Sequence, residues 1–324
     1  MPPPPAPAFR FAICSDVQHA DIDDGHSFAG RPRYYRGALD GLRRAVLDWR
    51  RRAAEGEPVD FAMHFGDIID GYTPDGEGER TLGAVLDIFS GVGVKVWHML
   101  GNHCLYNLPR ARLNQLLEIP QRPCGGSYYS FQPHESFRFV VLDPYDISVL
   151  GWEEGEERRA QAVAILEERN PNENKNNPEG LEGVSRRFVQ FGGGVGEGQL
   201  QWLRSELAEA EARGQKVVVC SHLPLHPGAA PPVCLVWNFE EVLGVLHGHS
   251  CVVVVLAGHT HKDDHHVDEH GLHHRVLPAV LEAPPGRDAY GYVEAFDDRL
   301  VVRGTDLMAT TEMPFSRAAV APKL

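Results

Sequence analysis

Side chains that can bind a metal ion follow five separate apolar runs of the sequence. The first run, residues 9–13, leads into Asp16-Val17-Gln18. Since residues two apart in an extended chain lie on the same side of it, Asp16 and Gln18 can face one centre. Ligands of α/β proteins bind at the carboxyl ends of strands, so the five runs together indicate a single metal site. The side chains after the other four runs are Asp67 with Asp70, Asn102 with His103, His222, and His259 with His261.

The elements that would carry these residues alternate along the chain. Apolar runs typical of strands lie at 9–15, 59–65, 94–100, 127–131, 137–143, 216–221 and 251–257, and runs typical of helices lie at 34–54, 80–90, 110–117, 199–212 and 239–247. The stretch from 265 to about 305 alternates with turn residues, as a set of hairpins does. This order predicts an α/β fold in which two packed sheets are flanked by helices.

The composition of the remaining stretches sets the expected domain boundaries. Residues 1–8 are rich in proline and are predicted to form a disordered tail, and residues 311–324 are predicted to form a C-terminal tail. Residues 9–310 are predicted to form one domain, because no linker-like stretch divides them. A charged and polar stretch at about 151–196 interrupts the alternation, and we interpret it as a surface insertion or a lid.

The bulk composition excludes several classes of protein. The formal net charge of −14 argues against a nucleic-acid partner, because phosphate backbones select basic surfaces. No apolar run approaches the length that spans a bilayer, so no membrane partner is expected. The six cysteines contain no C-x-x-C pair, which argues against a disulfide framework or a zinc ribbon. We therefore expect a soluble protein of the cytoplasm.

The ordered set D-x-Q, GD-x-x-D, GNH, a strand-end SH and GH-x-H resembles the calcineurin-like metallophosphoesterase family. The resemblance implies a four-layer α/β/β/α sandwich of two mixed sheets flanked by helices, with a dinuclear metal site. It implies that Asp67 bridges two ions, that His103 protonates the leaving oxygen, and that Asp70 orients His103. The implied ligands are Asp16, Gln18 and His261 for the first ion and Asn102, His222 and His259 for the second.

Within the family, stretches such as SDVQHADIDDG, HFGDIIDG and LAGHTHKD are similar to a branch that cleaves the diphosphate bond of ADP-ribose and CDP-alcohols. The implied reaction is in-line attack of a metal-bridging hydroxide, which yields a nucleoside monophosphate and a phosphorylated sugar or alcohol. The implied partner is a small-molecule nucleotide substrate, and we expect a monomer. The alternatives are a cyclic-nucleotide phosphodiesterase or phosphomonoesterase on the same core, and a non-catalytic scaffold.

Gln18 stands where most of the family has histidine. A glutamine carbonyl is a neutral, hard oxygen ligand and a poorer donor than imidazole for zinc or iron. We therefore expect two divalent ions, with Mn²⁺ favoured over Mg²⁺, Zn²⁺ or Fe, and an exchangeable ion beside Gln18. The alternative is that Gln18 only hydrogen-bonds a neighbouring loop and that His19 binds the ion instead.

Contacts to the substrate are expected from loops near these motifs. Arg31, Arg33 and Arg36 can reach a diphosphate from the loop after the first strand, or they can belong to a solvated helix start. The histidine-rich stretch from 247 to 274 is interpreted as solvated surface rather than a second metal site. The candidate substrate contacts are Phe28, Arg36, Tyr106 and Cys234.

Overall fold

The structure, a computed structural model, describes residues 6–27, 30–120 and 122–315. Its strands are β1 (Phe9–Cys14), β2 (Gly25–His26), β3 (Pro32–Arg33), β4 (Phe61–His64), β5 (Val96–His98), β6 (Tyr129–His134), β7 (Phe137–Val141), β8 (Lys216–Ser221), β9 (Val252–Ala257), β10 (Asp264–Val267), β11 (His273–Val276), β12 (Ala289–Ala295), β13 (Arg299–Asp306) and β14 (Thr311–Pro314). Its α-helices are α1 (Gly37–Ala54), α2 (Gly78–Ser90), α3 (Asn102–Asn107), α4 (Arg110–Leu116), α5 (Glu157–Arg169), α6 (Glu197–Ala212) and α7 (Phe239–His247). Short 3-10 helices lie at Gly183–Arg187, Pro232–Cys234 and Val280–Glu282.

Two six-stranded mixed sheets form the centre of the fold. The strand order is β14-β13-β12-β1-β4-β5 in the first sheet and β10-β11-β9-β8-β7-β6 in the second. In the first sheet β1, β4 and β5 run parallel, and in the second sheet β7, β8, β9 and β11 run parallel. Parallel strands are covered on both faces, which is why β8 and β9 are nearly unbroken apolar runs, KVVVCS and VVVVLA.

Aromatic side chains from the two sheets meet in the core between them. Phe139 of β7 lies edge-on to Phe11 of β1 and to Phe61 of β4, with ring centroids 5.1 Å and 5.4 Å apart. Phe9 and Phe137 make a similar contact at 5.2 Å. Each such contact adds about 0.5–1.5 kcal/mol to the stabilisation from burying the rings. The two sheets are therefore joined face to face by one core.

Helices cover the outer face of each sheet. The apolar face of α1 buries Leu42 and Trp49, and Trp49 Nε1 donates a hydrogen bond to the Gly291 carbonyl of β12 (3.1 Å). On the other side of the molecule, α6 buries Leu203 and Leu207 and contacts β7 and β8. The architecture is thus a four-layer α/β/β/α sandwich, and the predicted fold class is confirmed.

The polar interruption packs against the body of the protein. Within it α5 buries Ala162 and Leu166 in a small cluster with Ile147 and Trp237. Arg187 then donates through Nε to the Trp237 carbonyl (2.6 Å), so the end of the interruption is also anchored. The stretch at 151–196 therefore combines a polar outer surface with its own buried contacts.

The ends of the described chain extend the first sheet. The Ala8 N–H donates to the Ala295 carbonyl (2.7 Å), so sheet pairing already includes the last residue of the predicted N-terminal tail. Thr311–Pro314 forms β14 and pairs with β13, so the predicted tail boundary at 311 was wrong. Of the two predicted tails, residues 1–5 and 316–324 lie outside the described residues. Within the described ranges, the helices are too short or too polar to cross a bilayer.

Candidate metal centre

Backbone hydrogen bonds join the loops that follow the strands. The N–H groups of Asp16 and Gln18 donate to the carbonyls of Gly66 and Asp67 (3.2 Å and 2.9 Å), which connects the loop after β1 to the loop after β4. In the second sheet, the Gly258 N–H donates to the His222 carbonyl (3.1 Å). These bonds hold the predicted ligands at one edge of the two sheets.

The backbone at this edge is unusual. A positive φ is rarely adopted by residues with a side chain, and such strain concentrates at functional sites. Among the described non-glycine residues, two with positive φ, Glu118 and Asp306, are not among the predicted ligands. The others are Asp16 (51°), Gln18 (41°), Asp67 (54°), His259 (70°) and His261 (62°). The tight turns aim these side chains inward, which an extended continuation of the strand would not do.

Asp67, His222 and His259 form the closest group. Their ligand atoms all lie within 4.8 Å of one another. His222 Nε2 is 3.2 Å from Asp67 Oδ2 and 3.3 Å from His259 Nδ1. His222 Nδ1 donates to the Phe65 carbonyl (2.6 Å), because a carbonyl can only accept, and the other ring nitrogen is thereby directed at the group.

Asp16, Gln18 and His261 form an adjoining group that shares Asp67. His261 Nε2 lies 3.3 Å from Asp16 Oδ1 and 3.1 Å from the Gln18 amide nitrogen. The Gln18 amide donates to Asp67 Oδ2 (2.9 Å), and the other oxygen of Asp67 accepts the His103 backbone N–H (2.8 Å). The Asp67 carboxylate therefore lies between the two groups.

The charges and unpaired atoms of the centre fit a cation. Among the described residues, the buried Gln18 Oε1 has no hydrogen-bond partner, and the buried Asp16 Oδ1 faces His261 Nε2 at 3.3 Å. Burial opposes ionisation of Asp67, but His222 and His103 outweigh it and hold the pKa of Asp67 well below its usual range. Burial also opposes a charged His261, but Asp16 and Glu282 outweigh it and raise the pKa of His261 to about 9. A centre that stabilises a protonated, positively charged imidazole would also stabilise a divalent ion bound there instead of the proton.

His259 is suited to bind a metal without first losing a proton. Its burial lowers the pKa of the ring to about 3, so the neutral imidazole predominates at physiological pH. A metal ligand must be neutral imidazole, so His259 needs no proton release on binding an ion.

Two tyrosines orient Asn102, which is the first residue of α3. The Tyr145 hydroxyl donates to Asn102 Oδ1 (3.2 Å), and Asn102 Nδ2 donates to the Tyr106 hydroxyl (3.3 Å). Tyr145 is fully buried, whereas 46% of Tyr106 is exposed. The Tyr106 ring also contacts the His103 ring edge-on at 5.4 Å. The predicted substrate contact Tyr106 therefore lies at the open side of the site, between the amide and the imidazole.

His103 and Asp70 lie together, as the resemblance implied, but a backbone group intervenes. His103 Nδ1 is 3.2 Å from Asp70 Oδ2, and it accepts a hydrogen bond from the Gly71 N–H (2.9 Å). Asp70 Oδ2 is buried, and no described residue hydrogen-bonds to it. The neutral ring is thus held in the tautomer that carries its proton on Nε2. Arg33 lies beside Asp70, with Nη1 3.6 Å from Asp70 Oδ2, and its buried Nε has no partner within the described part of the chain.

The other two arginines of the first loop, Arg31 and Arg36, form ion pairs with other carboxylates. Arg36 is exposed and forms ion pairs with Asp21 and Asp23 (both 2.7 Å). Arg31 forms an ion pair with Glu282 and donates to the His261 carbonyl (3.0 Å).

The last residues to place are the substrate candidates Phe28 and Cys234 and the alternative metal ligand His19. Phe28 lies outside the described residues. Cys234 ends a 3-10 helix, and burial raises the pKa of its thiol to about 12. The His19 ring donates through Nδ1 to the Tyr35 carbonyl (3.0 Å), so it is turned away from the ligand group and the alternative to Gln18 is not supported.

The histidine-rich stretch is less solvated than predicted. His273 and His274 of β11 are only 4% and 2% exposed, so that interpretation was wrong for them. Within the described ranges, no second set of three metal-binding side chains brings its ligand atoms as close together as Asp67, His222 and His259 do.

Comparison with known proteins agrees with this geometry. Residues 9–263 match the calcineurin-like phosphoesterase family. The chain belongs to this family. It is 49% identical over 309 residues to a protein of Oryza sativa subsp. japonica named manganese-dependent ADP-ribose/CDP-alcohol diphosphatase, and the match covers 95% of each chain. A Homo sapiens protein of the same name is 39% identical over 311 residues, covering 91% of this chain and 90% of the relative. A dimetal phosphatase from Danio rerio has a similar solved structure, with a TM-score of 0.88, 38% identity, and coverage of 96% of this chain and 100% of that chain.

Within this phosphoesterase, sequence reasoning missed Glu282 and Tyr145. Glu282 is a nearly buried acid within a short apolar stretch, and Tyr145 follows Asp143 and Pro144 after β7. An isolated acid in an apolar stretch is a usable signal for Glu282, because buried carboxylates need partners. Nothing in the local sequence around Tyr145 points to Asn102.

Proposed function

We propose that this chain is a divalent-metal-dependent hydrolase that cleaves the diphosphate bond of ADP-ribose and of CDP-alcohols such as CDP-choline and CDP-glycerol. The products are a nucleoside monophosphate and a phosphorylated sugar or alcohol. The observation that carries the proposal is the gathering of the ligand side chains around Asp67, in a chain that matches full-length relatives named for this activity. An enzyme is favoured over a scaffold because His103 and Asp70 accompany the ligands.

We assign two ions to the centre, with Mn²⁺ favoured. Asp67 Oδ2 lies 2.9 Å from the Gln18 amide nitrogen of one ligand group and 3.2 Å from His222 Nε2 of the other, which supports a shared ligand. Divalent ions held there would lower the pKa of water and neutralise the charge that develops on the phosphoryl oxygens. The assigned ligands are Asp16, Gln18 and His261 for one ion, Asn102, His222 and His259 for the other, and Asp67 for both.

We assign proton donation to His103. Its Nδ1 faces both the Gly71 N–H and the unpaired Asp70 Oδ2, so the ring has a partner in either protonation state. When the ring is charged, Nδ1–H can donate to Asp70, and Nε2–H is left for the leaving oxygen. Asp70 thereby stabilises the imidazolium that proton donation requires.

Arg33 is our candidate for binding the diphosphate. Of the three arginines in the first loop, it is the one whose guanidinium lies beside Asp70, and its Nε has no hydrogen-bond partner among the described residues. A guanidinium is a planar fork of donors that matches phosphate oxygens. Tyr106, half-exposed on the other side of His103, is our candidate for the wall against the nucleoside.

One substrate panel tests the proposal. The purified protein, supplied with Mn²⁺ or Mg²⁺, is assayed against ADP-ribose, CDP-choline, a cyclic nucleotide and an aryl phosphate. We expect hydrolysis of the two diphosphates and faster turnover with Mn²⁺. Hydrolysis of the aryl phosphate alone would overturn the proposed substrate class, and hydrolysis of the cyclic nucleotide alone would make the chain a phosphodiesterase.

We further propose that the protein acts as a monomer in the cytoplasm. One chain supplies all the assigned ligands, so the centre requires no second copy. The six cysteines contain no C-x-x-C pair and no disulfide-framework pattern, which fits a reducing compartment. Light scattering on the purified protein and localisation of the tagged chain test these two points.

A further inference from the structure

The two ligand groups differ in what stands behind their histidines. In one group, His222 donates through Nδ1 to the backbone carbonyl of Phe65 (2.6 Å). In the other group, His261 donates through Nδ1 to Oε1 of Glu282 (2.7 Å), which is a carboxylate. The first partner is neutral and the second carries a negative charge, so the two imidazoles are supported differently.

Glu282 is itself held in place from a distant part of the chain. Its other oxygen forms an ion pair with Arg31, and Arg31 also donates to the His261 carbonyl (3.0 Å). Ser27 fixes the backbone of Arg31, since the Arg31 N–H donates to Ser27 Oγ (3.0 Å) and the Arg31 carbonyl accepts the Ser27 N–H (2.8 Å). Arg31, Glu282 and His261 thus form one chain of contacts that ends at the ligand group containing Gln18.

We propose that Glu282, oriented by Arg31, is a positioning residue that strengthens the binding of the ion beside Gln18. The inference rests on the two-ion site assigned under the proposed function. It adds that the affinity for the ion beside Gln18 also depends on Glu282 and Arg31, which are not ligands themselves.

The physical reason is the weakness of the amide ligand. A glutamine carbonyl is uncharged and donates less to a transition metal than imidazole does. A carboxylate that accepts the Nδ1–H of a ligand histidine fixes the ring tautomer and raises the donor strength of Nε2. Glu282 therefore stands behind the histidine of the group whose second neutral ligand is weak. The other group has two histidine ligands, His222 and His259. The Nδ1–H of His222 donates to a neutral backbone carbonyl, that of Phe65, and not to a carboxylate.

Mn²⁺ binding measured without substrate tests the inference. Isothermal titration of metal-free protein, with electron paramagnetic resonance of free Mn²⁺ as a second readout, resolves the affinities of the two ions. Glu282→Gln keeps an acceptor for Nδ1–H and removes only the charge. We expect it to weaken one Mn²⁺ by about 10- to 100-fold and to leave the other within twofold. Arg31→Met removes the ion pair with Glu282 but leaves the Glu282 carboxylate in place, so it should weaken the same ion by a smaller factor.

A rescue variant identifies which ion is affected. Gln18→His in the Glu282→Gln background adds an imidazole to the same ligand group and should recover most of the lost affinity. The matched control is Glu312→Gln, which breaks the ion pair with Arg299 (3.1 Å) on β14 and should leave both Mn²⁺ affinities unchanged.

Three results would overturn the inference. They are unchanged affinity for both ions in Glu282→Gln, an equal loss for both ions, and failure of Gln18→His to recover the lost binding. Because the readout is metal binding, the outcome is separate from the substrate question. A chain that cleaves no diphosphate but loses one ion on Glu282→Gln would contradict the proposed function and support this inference.

Discussion

Two groups of histidines in the described part of the chain differ in geometry. In the metal centre, His222 Nε2 and His261 Nε2 point at the carboxylates of Asp67 and Asp16, at 3.2 Å and 3.3 Å. The second group surrounds Asp268 and is called the Asp268 cluster here. Its rings stack face to face, and its histidines are His226, His247, His266, His270 and His274. Its ring centroids are 4.7 Å apart for His226 and His266, 4.8 Å for His226 and His274, and 3.9 Å for His247 and His270.

The carboxylate of the Asp268 cluster is fully used by hydrogen-bond donors. Asp268 Oδ2 accepts from His247 Nε2 (2.8 Å) and His274 Nε2 (3.1 Å), and Oδ1 accepts the backbone N–H groups of His270 and Leu272 (both 2.9 Å). In the metal centre, by contrast, the buried Gln18 Oε1 has no donor among the described residues. The Nε2 atoms of His247 and His274 both donate their protons to Asp268 Oδ2, so neither has a lone pair left for an ion, and residue type alone does not make an ion site. The left-handed turns at the ligands provide the convergence.

The largest loss of ion binding and activity is expected at Asp67, in the metal centre and not in the Asp268 cluster. Asp67→Asn removes the shared charge between the two ligand groups, so both ions should bind weakly. We expect diphosphate hydrolysis to fall by about 10³-fold or more, since the ions supply most of the charge stabilisation. Metal analysis after gel filtration and kcat/KM at fixed Mn²⁺ measure the effect. Retention of two ions with wild-type affinity would contradict the shared role of Asp67.

The next effect is expected at His103, which separates proton donation from ion binding. His103→Ala keeps the backbone N–H that Asp67 Oδ1 accepts (2.8 Å), so both ions should remain bound. Loss of a positioned general acid should lower kcat by about 10²- to 10⁴-fold. The measurement is turnover of ADP-ribose together with Mn²⁺ stoichiometry. A normal kcat in this variant would remove His103 from the reaction.

A stability effect without an ion effect is expected in the Asp268 cluster. Burial opposes ionisation of Asp268, but hydrogen bonds from His274, His247 and the Leu272 N–H outweigh it and hold the pKa of Asp268 well below its usual range. Asp268→Asn should therefore cost about 1–3 kcal/mol of unfolding free energy at pH 7 and leave Mn²⁺ binding unchanged. Urea unfolding of the metal-free proteins measures the cost, and Mn²⁺ titration checks the binding.

The same variant has an expected pH signature. The folded pKa of Asp268 lies below its unfolded value near 4, so its contribution is complete above about pH 4 and is lost as the pH falls further. The stability difference between wild type and Asp268→Asn should hence be largest near neutral pH and shrink below pH 4. A difference that stayed constant with pH would exclude the carboxylate charge as its source.

The smallest effect is expected at His266, a half-buried residue of the Asp268 cluster. His266 contacts His226 through its ring face, and its substitution by alanine removes one stacking contact worth about 0.5–1 kcal/mol. Mn²⁺ affinity and kcat/KM should be unchanged. Loss of a bound ion in His266→Ala, measured by metal analysis, would show that the stacked rings bind metal after all.

The fold was largely predictable from local patterns. The runs at 216–221 and 239–247 coincide with β8 and α7, and most other predicted elements differ from the observed ones by a few residues at their ends. The short elements β2, β3 and α3 were not predicted, because two to six residues carry too little periodicity. The strand β14 was missed for a different reason, since its pairing with β13 depends on the sheet edge already being in place.

The site was predictable as a set of residues but not as a set of contacts. Strand-end position and residue type predicted every member of the group Asp67, His222 and His259. The orientation of His19 toward Tyr35 and the Gly71 N–H on His103 Nδ1 depend on backbone atoms, whose direction the residue type does not specify. The burial of His274 follows from its place on β11, between β10 and β9.

The sequence by itself determined the α/β class and the set of candidate metal ligands, because both depend on local periodicity and on residue chemistry next to strand ends. Only the tertiary structure decided how those side chains are supported. The contact between Arg31 and Glu282 joins residues far apart in the chain, and the convergence at Asp67 depends on left-handed turns after three different strands. Long-range contacts and turn conformation are properties of the packed sheets, so they separate the histidines that converge on a centre from those that stack.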